Sequence, residues 1–269
     1  MRNLEKYPEI LKYLRKHKVY CSLTSSPERL KKCQKVLRQI LKSPYISKIY
    51  VNLPEKYRDT DKYNKKDIDY IQNLSQKIKI RRIKKDIGPI SKILPTLTRI
   101  RDNKAIIISI DDDVYYPQAL INELIYYSVK YPKTIWGGAG FGFGDMETIL
   151  KRTNWPEKRK PRFPYVDVIE GWGAIAYKKG FLDIPLVKKL LKKGKVCKLS
   201  DDLVISYVLA KNKIKRKVIM NKYFSGNEDV KPLSYGLGKG ALHQGSGIGG
   251  IDEGVDANMI KYRDCLELF

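Results

Sequence analysis

The chain of 269 residues is 42% hydrophobic and carries 54 Lys and Arg against 29 Asp and Glu, a formal net charge of +25. That is enough apolar material for one large domain or two small ones, and a single α/β domain is the simpler reading. No apolar run approaches the roughly 20 residues that a membrane span needs, and charge studs the first residues where a secretion signal would be apolar, so the expectation is a soluble, cytoplasmic protein. The positive field suits polyanions, an anionic membrane surface or anionic substrates without choosing among them. Richness in Lys, Ile, Tyr and Asn is also what an AT-rich genome encodes. Cys21, Cys33, Cys197 and Cys265 have no paired metal-type spacing and read as isolated thiols of a reducing compartment.

In chain order, an amphipathic segment at residues 9–17 precedes a run of alternating strands and helices. Strands are predicted at 18–23, 48–53, 78–83 and 105–110, and helices at 28–41, 68–76 and 90–101. This is the rhythm of a mostly parallel sheet flanked by helices. Ligands of such sheets bind beyond the carboxyl ends of the strands, where residues 24–27, Gly88-Pro89 and the end of the fourth strand converge. Pro117 opens a predicted helix over 118–130, followed by a strand at 134–138 and a glycine-rich stretch at 137–144. Residues 145–164 are polar, basic and proline-bearing and read as a loop or flap. Short strands are predicted at 166–169 and 174–177 around Gly171-Trp172-Gly173, then helices at 181–193 and 200–211, a strand at 216–220 and a glycine-rich tail.

Chemistry concentrates where the fourth strand ends, in Asp111, Asp112 and Asp113. Adjacent carboxylates repel and raise one another's pKa, and a hard divalent ion offsets that. In an extended chain Asp111 and Asp113 project to one side and Asp112 to the other, which makes the first and third the functional pair. A second acidic pair, Asp201-Asp202, follows Ser200 at a predicted helix start; it is either ordinary first-turn stabilisation under a Ser N-cap or a pair facing the same cleft. His17 lies in a basic, surface-like segment, whereas His243 sits in the glycine-rich tail, from which it could reach a metal. The glycines at 137–144 lack the strand-G-x-G-x-x-G-helix context, and G-x-x-x-x-G-K-[ST] is absent, which sets aside nicotinamide-dependent and kinase-type readings.

Five motifs in order, Thr24-Ser25-Ser26-Pro27-Glu28-Arg29, Asp86-Ile87-Gly88-Pro89-Ile90-Ser91-Lys92, Ile110-Asp111-Asp112-Asp113, Glu170-Gly171-Trp172-Gly173-Ala174 and Ser200-Asp201-Asp202, resemble glycosyltransferases of the GT-A fold, close to the large family-2-like group. The resemblance covers roughly residues 18–220. It implies a nucleotide-sugar donor, usually a UDP-sugar, and Mn²⁺ or Mg²⁺ at a so-called DxD motif. It also implies an organisation into an N-terminal helical segment (1–17), a GT-A catalytic domain (18–225) and a tail (226–269) folding over the active site.

Carried over by position, the resemblance gives Asp113 the metal and His243 the completion of its shell. Asp111 and Asp112 fall at the donor, with Asp111 touching the ribose or bridging through water. Thr24 and Arg29 would lie against the nucleotide, with Lys92 approaching the donor. Gly171, Trp172 and Gly173 match the wall between donor sugar and acceptor. Asp202 would be the catalytic base, and Asp201 departs from the family's usual Glu. The expected reaction is inverting transfer to a hydroxyl of a glycan, protein or lipid-linked acceptor. Its rivals are a retaining transferase on the same fold and a nucleotidyltransferase, the latter opposed by a first-strand loop without the glycine-rich, Arg-bearing sequence such enzymes place over a triphosphate. A non-catalytic basic nucleic-acid-binding module is the rival from another class, but basic residues and aromatics are not interleaved and no reader motif occurs.

Overall fold

The computed structural model describes residues 3–142, 165–193, 199–219, 230–236 and 264–265. The flap expected at 145–164, His243 and most of the tail lie outside the described residues.

A single sheet organises the chain. Its strands are β1 (Val19–Leu23), β2 (Ile46–Pro54), β3 (Ile78–Ile83), β4 (Ile106–Ser109), β6 (Thr134–Phe141), β7 (Val168–Lys178) and β8 (Lys215–Val218), in the spatial order β3-β2-β1-β4-β7-β6-β8. All neighbours pair in parallel except β7, which is antiparallel to both β4 and β6. The helices are α1 (Pro8–Lys16), α2 (Pro27–Leu30), α3 (Gln34–Ile40), α4 (Lys65–Asn73), α5 (Leu94–Arg99), α6 (Gln118–Lys130), α7 (Ile184–Lys193) and α8 (Asp201–Lys211). A small antiparallel pair joins β5 (Val114–Tyr115) to β9 (Lys231–Pro232). The expected α/β class with a helix-flanked, mostly parallel sheet is what the chain adopts.

The sheet is covered on both faces, which is why its central strands are apolar without alternation. Along β4, Ile106 and Ile108 enter a core shared with α3 and α6, while Ile107 enters a second core shared with α5, α7 and α8. Among the described residues no helix is long and apolar enough to cross a membrane.

Several local expectations need correction. The helix expected at 28–41 is two pieces, α2 and α3, separated by a turn; Leu30, Cys33, Val36, Leu37 and Ile40 stay buried across that turn, so the periodicity reads as continuous. The helix expected at 90–101 begins as a 3-10 turn over Gly88–Lys92, and α5 follows with Pro95 in its first turn. The two short strands expected around Gly171-Trp172-Gly173 are one eleven-residue strand, β7. Its glycines are not breakers: a Cβ on Gly173 would lie 2.4 Å from the Ala139 nitrogen, and one on Gly138 would lie 2.2 Å from the Gly173 carbonyl. The β6/β7 register slips here, between Gly137 and Ala139, and Ala174 takes φ 65°. Cysteine chemistry is corrected as well. Cys265 is disulfide-bonded, a pairing that scattered spacing does not announce, whereas Cys21 and Cys33 are free and buried.

Candidate active site

The antiparallel strand brings the acidic motifs together. β4 ends with Ser109 opposite Ile175, so the seven residues of β7 before Ile175 extend past the end of β4, the nearest of them to the level of the aspartates. α8 packs on β7 and is tied to it where the Ser206 hydroxyl accepts the Ile169 N–H at 3.1 Å. The first turn of α8 therefore meets the loop after β4, although about 90 residues separate them along the chain.

Asp112 and Asp113 lie in a turn and not in the extended chain expected; Asp112 is turned into the protein, while Asp111 and Asp113 keep partial exposure. Asp112 is 3% exposed. It accepts the Ser25 hydroxyl at 2.5 Å and faces Arg29 Nη2 at 3.1 Å. Arg29 Nη1 also donates to Asp113 Oδ2 at 2.6 Å, so one guanidinium ties two of the aspartates to the first turn of α2. Burial and neighbouring carboxylates push Asp112 up to about 7 against the opposing pull of Arg29. Asp113 is raised for the same reasons, burial first and Asp111 next.

Lys92 sits between the two acidic motifs. Its ammonium donates to Asp111 Oδ1 at 3.0 Å and lies 3.1 Å from Asp201 Oδ2, the latter an ion pair off the hydrogen-bonding axis. The neighbouring aspartates hold its pKa well above the usual lysine value, although burial pulls the other way. The turn that carries Lys92 is built for the purpose. Gly88 takes φ 74°, a left-handed conformation suited to glycine, and its N–H is accepted by Asp86 Oδ1 at 2.8 Å. Below it, the Ser22 hydroxyl donates to the Lys92 carbonyl at 2.5 Å, and Asn52 Nδ2 reaches both Ser22 and Thr96 at 3.1 Å.

Asp202 is partly accessible and accepts the Gly171 N–H on Oδ1 at 2.8 Å. Burial, then Asp201, raises its pKa well above the usual carboxylate value. Ser200 makes no capping hydrogen bond, and the two acids of this first turn face Lys92 and Gly171 as well as the helix N-terminus. Gly171 leaves room for the pair: a Cβ there would lie 2.4 Å from Lys92 Nζ and 3.1 Å from Asp202 Oδ1, so a larger residue would have to displace the lysine.

Three more connections fix the acidic loop, and the sequence reading missed them. Tyr116 is fully buried, and its hydroxyl accepts the Asp111 N–H at 2.9 Å and donates to the Trp172 carbonyl at 3.0 Å. From the distant chain, the Leu233 N–H donates to the Asp113 carbonyl at 2.6 Å and Tyr235 donates to the Asp112 carbonyl at 2.7 Å. Of the other candidates, Thr24 donates to the Asn52 carbonyl at 2.8 Å. Trp172 is partly buried against the core under α6, so part of its surface remains for a ligand. His17 is far from the aspartate loop, beside Asp102 at 2.9 Å.

Five aspartates, Asp111, Asp112, Asp113, Asp201 and Asp202, thus gather around the cations Arg29 and Lys92. The donor set suits a divalent ion that takes one or two carboxylates and completes its shell with substrate phosphate and water. Asp111 and Asp113 each give one oxygen to a protein cation and have a second to offer. No group of three or more protein ligands forms a metal cage among the described residues.

No protein-family model and no curated protein matches the chain. Among solved structures the chain is similar to the crystal structure of 4-diphosphocytidyl-2C-methyl-D-erythritol synthase from Anaerococcus prevotii DSM 20548, at 15% sequence identity and a TM-score of 0.47, with 79% of this chain and 90% of that one covered.

Proposed function

We propose that the chain is a GT-A glycosyltransferase that moves a sugar from a nucleotide-sugar, most often a UDP-sugar, to an acceptor hydroxyl with inversion and with the help of Mn²⁺ or Mg²⁺. The observation that carries this reading is the meeting of the Asp111-Asp112-Asp113 loop with Asp201-Asp202 across Lys92, at the carboxyl end of the sheet. An acidic motif for the leaving diphosphate and a carboxylate for the acceptor are the two parts that inverting transfer needs.

Asp202 has the character of a general base. Its raised pKa makes it a stronger base than a free aspartate, and the residue keeps partial exposure while Gly171 holds Oδ1. It takes the proton of the acceptor hydroxyl as that oxygen forms its bond to the anomeric carbon. The bond from the anomeric carbon to the phosphate oxygen breaks, and its electron pair leaves with the nucleoside diphosphate. A divalent ion held by Asp113, with Asp111 beside it, would supply the Lewis acidity that the departing diphosphate requires. Arg29 keeps Asp113 in place, and Lys92 orients Asp111 and neutralises Asp201, which leaves Asp202 as the base.

The test is a thermal-shift screen of UDP, GDP, CMP and their sugar conjugates, each with Mn²⁺, Mg²⁺ or EDTA, followed by transfer assays with the stabilising donor. Stabilisation by one nucleotide-sugar that EDTA abolishes is the expected outcome; no shift from any of them refutes the reading. Asp113→Ala should abolish metal-dependent turnover. Asp202→Asn should lower turnover by roughly 10²–10⁴-fold while donor binding persists, and near-normal turnover of that variant would point to retention.

A further inference from the structure

α7 reads Ile-Pro-Leu-Val-Lys-Lys-Leu-Leu-Lys-Lys and is bound to the body by one side. Val187 and Leu190 are buried, and Ile184, Leu186 and Leu191 pack against the same core. Asp183 Oδ1 accepts the Leu186 N–H at 2.9 Å and fixes the start of the helix. The other side presents Lys188, Lys189, Lys192 and Lys193, all exposed, which with Pro185 line an open concavity of ≈ 550 Å³. No carboxylate among the described residues lies within ion-pair distance of these four ammonium groups.

That arrangement works against the helix. Lys188 and Lys192, and Lys189 and Lys193, are like charges one turn apart, each pair destabilising by about 0.2–0.5 kcal/mol, and no acid on α7 relieves them. A multiply charged anion would. Four of the five lining residues are lysines, whose ammonium groups suit phosphates.

We propose that the lysine face of α7 is a docking surface for the phosphate headgroups of an anionic lipid bilayer. The four lysines span six residues, roughly 9 Å of helix axis at 1.5 Å per residue, which matches a few neighbouring headgroups and not an extended strand. The face carries no aromatic side chain to stack on bases and no arginine fork to grip a nucleic-acid backbone. Because the apolar side of α7 is locked into the core, the contact is peripheral and electrostatic, with no insertion. The net charge of +25 supports the approach at long range. The surface stands apart from the transfer chemistry, and the two can fail separately.

The experiment is co-sedimentation of the full chain with phosphatidylcholine vesicles made with and without phosphatidylglycerol, at low and high salt. It is repeated with a variant in which Lys188, Lys189, Lys192 and Lys193 are all changed to Gln, whose fold is checked by its melting curve. The wild type should bind only the vesicles that contain phosphatidylglycerol, and release them in high salt. At about fivefold per lysine, the variant should lose on the order of several hundredfold in affinity. Equal binding to both vesicles, no binding, or undiminished binding by the variant would overturn the proposal. A short RNA that binds more tightly than the vesicles and displaces them would overturn it in favour of nucleic acid.

Discussion

Replacing Lys92 with Met tests whether one buried cation holds the two acidic motifs together. The methionine keeps most of the side chain's bulk, so the change isolates charge. The lysine side chain is 7% exposed and lies 3.0 Å and 3.1 Å from two carboxylates, so its removal strands buried charge, a loss of about 3–5 kcal/mol at pH 8. In a chain of this length that lowers the melting temperature by roughly 6–10 °C. Lys92 itself stays charged throughout the accessible range, because its pKa is raised above that of a free lysine. The pH dependence therefore comes from the acids. Lys92 pulls down Asp113 and Asp202, both of which stand above the usual carboxylate value. Without it they rise further, and a carboxylate whose folded pKa is raised destabilises progressively as pH climbs from the unfolded to the folded value. The loss should shrink as pH falls toward 5, because Asp113 and Asp202, raised further in the variant, take up protons there. Urea titrations of both proteins at pH 5 and pH 8 measure it. A loss that is the same at both pH values, or under about 1 kcal/mol at pH 8, would refute the reasoning.

Gly171→Ala should fold with a loss of about 1–3 kcal/mol and fail to bind a nucleotide-sugar tightly, because the new methyl group displaces Lys92. Calorimetry of the variant against the wild type reads this, and unchanged binding would show that Lys92 has room to move. At the opposite end of the sheet, Lys178 is buried against the Tyr13 ring and its pKa is pulled down to about 8 by burial and by Lys104. A depressed lysine destabilises the fold while protonated, and the penalty fades as pH rises from about 8 toward the unfolded value. Lys178→Met should gain about 1–2 kcal/mol at pH 7, a figure discounted by about half for solvent screening, and nothing near pH 10.5; a loss of stability at pH 7 would contradict the burial argument.

The strands were legible because this sheet is buried on both faces. The run before Asp111 and the periodicity of residues 118–130 contain their own answer, and the helix at Gln118–Lys130 falls where its sequence places it. The boundaries that escaped are those that tertiary contact decides. Gly171 and Gly173 have the composition of a turn, yet they lie within a strand because Lys92 and the β6 backbone press against them. The tether through Tyr116, Leu233 and Tyr235 likewise joins distant segments, Tyr116 to Trp172 and the other two to aspartates more than a hundred residues away, and local pattern holds no signal for it. At the site, the backbone of the acidic loop is a turn, and Asp112 is held inward by Ser25 and Arg29 and not by strand alternation; residue types marked the loop. What they could not supply was Lys92 as the bridge, since an isolated lysine after Gly-Pro looks like any exposed helical lysine until the sheet order places Asp201 beside it.

Charge acts on two length scales in this chain, and under the proposed reading they oppose one another. A body of net charge +25 draws in a nucleoside diphosphate over a range set by the Debye length of about 8 Å at physiological salt. At the site the same anion meets, among the described residues, five aspartates paired with the two cations Arg29 and Lys92, and the carboxylates repel it. Long-range attraction thus governs the rate of arrival, and local neutralisation by a divalent ion governs whether the ligand stays. The two are separable by experiment. Added monovalent salt should slow association with little effect on dissociation, because exposed lysines are screened and the buried cluster is not. Chelation should do the reverse, leaving encounter intact and shortening the lifetime of the complex. A donor whose dissociation responded to salt and not to chelation would place its phosphates on the outer lysines and outside the aspartate cleft.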